Sequence, residues 1–329
     1  MQTPNDAEFY RGKLEFLWLE LTTQCNMRCI HCYNESSPKP ERPTLLSAED
    51  YKRLLDDAAS VGCRKVQFVG GEPTLCKDLP ELIAHARKRD FQYVEVYTNG
   101  LRLNERLLSS FVANEVRVGT SIYADDPATH DEITRRKGSH QATLENLRRC
   151  IAAGLQVRVG VTAMANNKDR IAATVKMLNG MGVKDVGVDG VRGIGRGKEL
   201  VKPEANGLGE LCGFCWQGSL CVASDGSVST CVMSKELPVG SVRASSLTDI
   251  VASDQLHNAR DLIRSVAWVN LAEDDKGKDK GGKRKKKKDK DKETPKPREV
   301  VTPPWPCDPQ LGCQSPRCRP ANCDPSDIT

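Results

Sequence analysis

The chain has 329 residues with 49 Lys and Arg against 44 Asp and Glu, a formal charge of +5, yet residues 276–298 alone carry 13 basic and 4 acidic side chains. That run is net +9 and the other 306 residues sum to −4, which excludes a basic face spread over a folded domain. At 38% hydrophobic the chain can bury a large core; no apolar run approaches the ~20 residues of a membrane span, and residues 1–25 lack a signal peptide's basic and apolar regions, so a soluble cytoplasmic protein is expected.

Strands are expected at 14–21, 65–69, 92–97, 115–122, 155–163 and 183–189, where β-branched and aromatic residues cluster. Helices are expected between them. One starts near Ser47, where Ser47-x-x-Asp50 reads as a capping box, and others cover roughly 78–90, 104–112, 139–153 and 168–180. Six strands alternating with five helices predict an α/β fold of parallel βα units, an open or partial barrel over 1–200. Ligands then bind at the C-terminal strand ends. Beyond 190 the glycines of VDGVRGIGRG mark a flexible segment without the Lys-Ser ending of a phosphate loop. Residues 201–271 hold a cysteine-rich stretch with a hairpin at 220–232, turning at Asp225-Gly226, and then a helical segment. A Lys-rich linker (272–300) and a Pro/Cys-rich tail (301–329) follow. As a flexible tether the 23 residues of the charged run reach about 25 Å, enough to return the tail to the body.

Fourteen cysteines without an export signal point to metal rather than disulfides. Cys25, Cys29 and Cys32 form one group directly after the first strand; Cys212, Cys215, Cys221 and Cys231 form a second; Cys307, Cys313, Cys318 and Cys323 form a third. Zinc suits either group of four as well as iron does. The first group, with three cysteines, leaves a fourth position open to water on zinc or to a small molecule on a cluster. Gly70-Gly71-Glu72-Pro73 follows the second strand, Thr98-Asn99-Gly100 the third, and Ser121 ends the fourth, so these features converge on one rim. Two adjacent glycines permit close backbone approach to a ligand, although glycine, proline and asparagine also serve ordinary turns. Cys63 and Cys150 read as small buried hydrophobes, as does Cys76 in spite of its nearness to the glycines.

Cys25-x-x-x-Cys29-x-x-Cys32 within LELTTQCNMRCIHCY, joined by Gly70-Gly71-Glu72-Pro73 after the second strand, resembles the radical S-adenosylmethionine (SAM) superfamily over about residues 10–200. The resemblance implies a partial (β/α)6 barrel in which Cys25, Cys29 and Cys32 ligate a [4Fe-4S] cluster whose fourth iron takes S-adenosyl-L-methionine. It places Gly70, Gly71, Glu72 and Pro73 against the methionine moiety, Asn99 on the same rim, and Ser121 at the ribose. It implies reductive cleavage to a 5′-deoxyadenosyl radical that abstracts a substrate hydrogen. Arg158 and Arg192 are weaker candidates for a carboxylate or substrate contact, with surface charge the plainer reading. Cys212, with Gly226 and Cys231, is similar to the opening of a SPASM or twitch extension, which implies one or two auxiliary Fe-S clusters drawing on Cys212, Cys215, Cys221, Cys231, Cys307, Cys313, Cys318 and Cys323. The usual cysteine spacing after Cys231 is absent, so the pairing of thiolates with clusters stays open.

The family implies initiation, not outcome. The leading expectation is maturation of a ribosomally synthesised precursor peptide, with an electron donor such as flavodoxin or ferredoxin. The 24 residues before Cys25 are few for a leader-binding domain, which implies a separate leader-peptide-recognition protein or direct binding in the barrel. The alternative is radical oxidation or decarboxylation of a small-molecule substrate: a sugar, cyclitol or nucleoside metabolite. A nucleic-acid module using the Lys-rich run is the reading from another class; the run has no aromatic residue for stacking and is interleaved with aspartates. His31 is expected to pack beside the cluster. His130 or His140 is a candidate catalytic group, and Glu95, Asp125 and Asp189 are candidate acids or bases with surface or capping roles as the plainer reading.

Overall fold

The structure, a computed structural model, describes residues 10, 12–202 and 208–265. Cys307, Cys313, Cys318, Cys323 and the Lys-rich run lie outside the described residues. The barrel strands fall where expected: β1 (Phe16–Glu20), β2 (Lys65–Val69), β3 (Tyr93–Tyr97), β4 (Arg117–Ser121), β5 (Val157–Ala163) and β6 (Asp185–Gly190). Between them run α1 (Ala48–Ser60), α2 (Leu79–Lys88), α3 (Glu105–Ala113), α4 (Pro127–Thr134), α5 (Ser139–Ala152) and α6 (Ile171–Gly180). After the barrel come β7 (Ser219–Val222), β8 (Ser227–Ser229), β9 (Gly240–Ser241), α7 (Leu247–Ala252) and a helical segment at 254–265.

Local sequence explains the helix starts. Ser47 caps α1 by accepting from Asp50 N at 3.2 Å while Asp50 Oδ2 accepts from Ser47 N at 2.8 Å, so the capping box forms as read. Tyr51, Leu54, Leu55 and Ala58 then present one buried face at helical spacing. Helix α4 is absent from the sequence expectations, although its signals are legible. Asp126 accepts from Thr129 N at 2.9 Å as the N-cap, and Pro127 occupies the first turn.

The nine strands form one sheet in the order β6-β5-β4-β3-β2-β1-β7-β8-β9. Neighbours from β6 through β7 pair in parallel, and β8 and β9 add antiparallel. The sheet is therefore an open barrel with β6 and β9 at its edges. The hairpin of β7 and β8 forms as expected, but β7 also lies against β1, setting Cys221 opposite Trp18. Strand alternation sorts the two faces. Leu17, Leu19, Val66, Phe68, Val94 and Val96 pack outward under the helices with Leu55, Leu82, Ile83 and Phe111. Phe16, Trp18, Val69 and Tyr93 face inward, where Cys215, Trp216, Cys221 and Cys231 join them. Among the described residues no helix is long and apolar enough to cross a membrane.

Candidate active site

Past β1 the chain crosses the open rim through Cys25, Cys29 and Cys32, and neighbouring loops hold this stretch by its backbone. Cys25 N donates to Ser37 O at 2.9 Å, Arg28 N to Thr134 O at 3.1 Å and Ile30 N to Ile133 O at 3.0 Å. From the loop after β6, Arg196 donates Nε to Cys29 O and Nη2 to Ser36 O, both at 2.8 Å, and its backbone N to Cys32 O at 3.1 Å. The sequence reading missed Arg196. Its signal is the flanking glycines: Gly195 has φ +54°, and a Cβ there would come within 2.6 Å of Cys32 O. The glycine series after β6 thus permits approach to the cysteine loop.

The Gly70–Pro73 loop approaches the same segment. Gly71 N donates to Thr22 O at 2.6 Å and Glu72 N to Gln24 O at 2.8 Å. A Cβ on Gly70 would lie 2.6 Å from Thr22 O, and one on Gly71 would press on Gln24 O and sit 2.6 Å from Gln24 C. Gly70 has φ +141°, strained for any side chain. Glu72 is fully buried, and its oxygens accept from Thr98 Oγ1 and Thr74 Oγ1 at 2.6 Å, Asn99 N at 2.8 Å and Thr74 N at 3.0 Å. Glu72 therefore clamps the rim loops after β2 and β3 together. Burial pushes its carboxyl above the usual range, against the pull of those donors. Pro73 opens a short 3₁₀ turn, Pro73–Leu75. Cys76 ends that turn and packs toward the outer, helix-covered core.

Cys25 Sγ accepts from Met27 N at 3.4 Å and from Asn99 Nδ2 at 3.5 Å. Asn99 Nδ2 also donates to Asn26 Oδ1 at 2.6 Å. Burial, then the Glu72 carboxylate, pushes the Cys25 thiol up to about 12, and burial with the charges of Cys32 and Cys25 pushes Cys29 up, partly offset by Arg196. The three sulfurs thus lie within one another's fields, near amide donors and a guanidinium. Among the described residues no three His, Cys, Asp or Glu side chains converge tightly enough for a single metal ion. A cluster ligated at separate irons does not require that convergence.

Below the rim the inner face is polar. Glu95 is fully buried and accepts from Arg158 Nε and Nη2 at 2.6 Å, Tyr93 OH at 2.8 Å, and Gln67 Nε2. Burial raises its carboxyl, but the Arg158 charge and these donors outweigh that and hold it below the usual range. Arg158 is 9% exposed. The surface reading of Arg158 and Glu95 is therefore corrected: strand alternation turns both inward, where each neutralises the other. Tyr97 lies over the pair, with the Arg158 guanidinium 5.1 Å from its ring centre. Gly119 and Gly160 make room for that ring, since a Cβ would lie 2.9 Å from Tyr97 Cε2 or from its OH. Tyr97 OH meets Ser121 Oγ at 2.8 Å, so the rim and the inner network join. Arg192 instead reaches Glu210 O. Asp125 pairs with Arg170 at 3.6 Å, and Asp189, the penultimate residue of β6, acts on Tyr97 through its charge.

The second cysteine group gathers against the inner face beside β1. Cys215 Sγ donates to Cys231 Sγ at 3.1 Å, and Cys212 also hydrogen-bonds Cys215. This sharing raises Cys215 well above the usual thiol range and lowers Cys231. Cys221 is buried next to Glu20, and burial followed by that carboxylate raises it strongly. Cys63 and Cys150 are buried in the core, as expected. His31 packs edge-on to Tyr123 at 4.8 Å; Tyr123 to His130 and His130 to His140 are each 5.3 Å. The two helical histidines are 1% and 6% exposed, which sets them in the core behind the rim.

A family profile for the radical SAM superfamily matches residues 19–178, and one for the SPASM iron–sulfur cluster-binding domain matches 212–277. The chain carries a radical SAM domain followed by a SPASM domain. It is 31% identical over 198 residues to Fe-coproporphyrin III synthase of Methanosarcina barkeri, covering 60% of this chain and 49% of that protein. It is 30% identical over 186 residues to the antilisterial bacteriocin subtilosin biosynthesis protein AlbA of Bacillus subtilis, covering 56% and 41%. The chain thus spans about half the length of these curated relatives. In fold it is similar to Streptococcus suis SuiB, solved bound to S-adenosylmethionine and bound to the precursor peptide SuiA. Both comparisons give a TM-score of 0.63, with 15% and 14% identity, covering 77% and 79% of this chain and 68% and 69% of the other. A radical SAM domain implies a [4Fe-4S] cluster with S-adenosylmethionine, and a SPASM domain implies auxiliary clusters.

Proposed function

We propose that this protein is a cytoplasmic radical SAM enzyme that modifies a precursor peptide. The observation that carries the enzymatic reading is the pairing of β1, whose C-terminal end leads into Cys25, Cys29 and Cys32, with β7, which sets Cys221 and the second cysteine group against the inner face beside the same strand. The donor sets fit iron–sulfur clusters. Cys25, Cys29 and Cys32 lie in one another's fields, with two N–H donors on Cys25 Sγ, and the second set shares sulfur contacts among Cys212, Cys215 and Cys231. In this reading Cys25, Cys29 and Cys32 hold the [4Fe-4S] cluster, and Cys212, Cys215, Cys221 and Cys231 contribute to auxiliary clusters.

Bound together, cluster and S-adenosylmethionine supply reductive sulfonium cleavage and a 5′-deoxyadenosyl radical. The protein's own residues supply position. The Gly70–Pro73 backbone and Asn99 line the cofactor side, Glu72 fixes both loops, and Ser121 with Tyr97 closes the ribose side. The buried Glu95–Arg158 pair crosses the interior without adding net charge. The peptide substrate is supported by the likeness to a bacteriocin biosynthesis protein. The likeness to a coproporphyrin-related synthase favours a second reading, a small-molecule substrate. An external one-electron donor and a separate leader-recognition protein complete the peptide scheme.

Anaerobic reconstitution is expected to give equal iron and sulfide with broad absorption near 400 nm, and dithionite with S-adenosylmethionine is expected to give 5′-deoxyadenosine. Cys29→Ala is expected to abolish that turnover. Cys231→Ala is expected to spare it and block product. A wild-type protein that binds iron and sulfide yet makes no 5′-deoxyadenosine refutes the reading. Co-expression with a candidate precursor peptide, read by mass spectrometry, separates peptide from small molecule.

A further inference from the structure

A buried ion pair between Glu20 and Lys235 ties the segment leading into the first cysteine group to the segment that follows the second. Glu20, the last residue of β1, is 1% exposed. Its Oε2 accepts from Lys235 Nζ at 2.6 Å and its Oε1 from Tyr33 OH at 3.3 Å. The same Lys235 Nζ donates to Asn34 Oδ1 at 2.6 Å and lies 5.4 Å from the centre of the Tyr33 ring. Tyr33 follows Cys32 directly and Lys235 lies four residues past Cys231, so each side of the pair is anchored in one cysteine group. Cys221, on β7, is in the field of both: the Glu20 carboxylate raises its thiol and the Lys235 ammonium lowers it. Tyr33 feels Glu20, Cys221 and Cys32 together.

A carboxylate this deeply buried between two sets of thiolates adds negative charge where negative charge already accumulates. Its cost is met by a partner of opposite sign at hydrogen-bond distance. That partner comes from a segment 215 residues away, across the junction of the barrel and the SPASM region. We propose that Lys235 sets the charge between the two sites: by neutralising Glu20 it holds up the reduction potentials of the cluster at the Cys25–Cys32 loop and of the auxiliary cluster. A fixed charge in a low-dielectric interior acts on both sites at once, because addition of an electron to either is opposed by the uncompensated carboxylate. Lys235 is in this sense a positioning residue, acting through charge rather than through contact with substrate. The inference rests on both cysteine groups holding clusters.

The test is an EPR-monitored redox titration of the anaerobically reconstituted full-length protein, without S-adenosylmethionine or substrate, alongside iron and sulfide analysis. Lys235→Met is expected to shift both midpoint potentials to more negative values. Lys235→Arg, which keeps the charge, is expected to retain the wild-type potentials. Glu20→Gln keeps the shape and leaves the ammonium uncompensated, so it is expected to move both potentials the other way. Opposite shifts from the two partners of one ion pair do not arise from loosening of the fold. Where Lys235→Met fails to load with iron, Glu20→Gln carries the test, and its failure to raise the potentials overturns the inference. Iron-loaded variants with unmoved potentials overturn it alone. A wild-type protein that takes up no iron and sulfide overturns it together with the functional reading.

Discussion

Gly71→Ala is the sharpest probe of how the rim is built. The new methyl group would press on Gln24 O and stand 2.6 Å from Gln24 C and 2.8 Å from Thr23 O, all backbone atoms of the segment leading into Cys25. No side-chain rotation relieves such contacts, so either the glycine loop or the cysteine loop must move. Overpacking of this kind costs about 1–3 kcal/mol. The displacement also weakens the bond from Glu72 N to Gln24 O, now 2.8 Å, worth about 1 kcal/mol. The total is about 2–4 kcal/mol, a fall in melting temperature on the order of 5–10 °C for a domain of this size. Gly180→Ala is the internal control. It ends α6 with open space around its Cα, and the substitution is expected to be neutral or to stabilise by about 0.5–1 kcal/mol. Anaerobic thermal unfolding with chemical iron analysis reads both, and Gly71→Ala is expected to lose iron as well as stability. If it melts with the wild type and keeps its iron, close approach is not what these glycines provide.

Arg158→Met leaves the buried Glu95 carboxylate without its guanidinium and is expected to cost about 3–5 kcal/mol in chemical denaturation, with much of the loss recovered in Arg158→Met/Glu95→Gln. His130 gives a pH dependence: burial, then the neighbouring His140, pushes its imidazole down to about 4 from 6.5, against the opposite pull of Asp131 and Asp126. The folded protein then binds fewer protons between those values, so this contribution is whole above pH 6.5 and shrinks as pH falls toward 4, by up to about 3 kcal/mol. Denaturation across that range is expected to show a shallower slope in His130→Gln; an unchanged slope would remove His130 as its source. Cys63→Ala and Cys150→Ala are each expected to cost on the order of 1 kcal/mol while leaving bound iron unchanged, in contrast to Cys25→Ala, which is expected to reduce it.

The order of strands and helices, the capping box at Ser47 and the turn at Asp225-Gly226 are legible in the sequence because they depend on residues within a few positions of one another. The same locality placed Cys25, Cys29, Cys32, Gly70, Gly71, Asn99 and Ser121 at C-terminal strand ends. Helix α4 was equally local and was missed only because its eight residues are few for a periodicity to declare itself. Other features had no local signal. Arg158 and Glu95 are 63 residues apart and read as solvated charges until strand alternation turns both inward. Arg196 reaches Cys29 across 167 residues, and Lys235 reaches Glu20 across 215. The parallel pairing of β7 with β1 belongs to the same class, because any exposed strand edge offers the same backbone donors and acceptors. The sequence by itself therefore determined the barrel units and the cysteines at their rim. Only the tertiary structure decided which charges neutralise one another and how the second cysteine group meets the first, because those partners are chosen by burial and not by proximity along the chain.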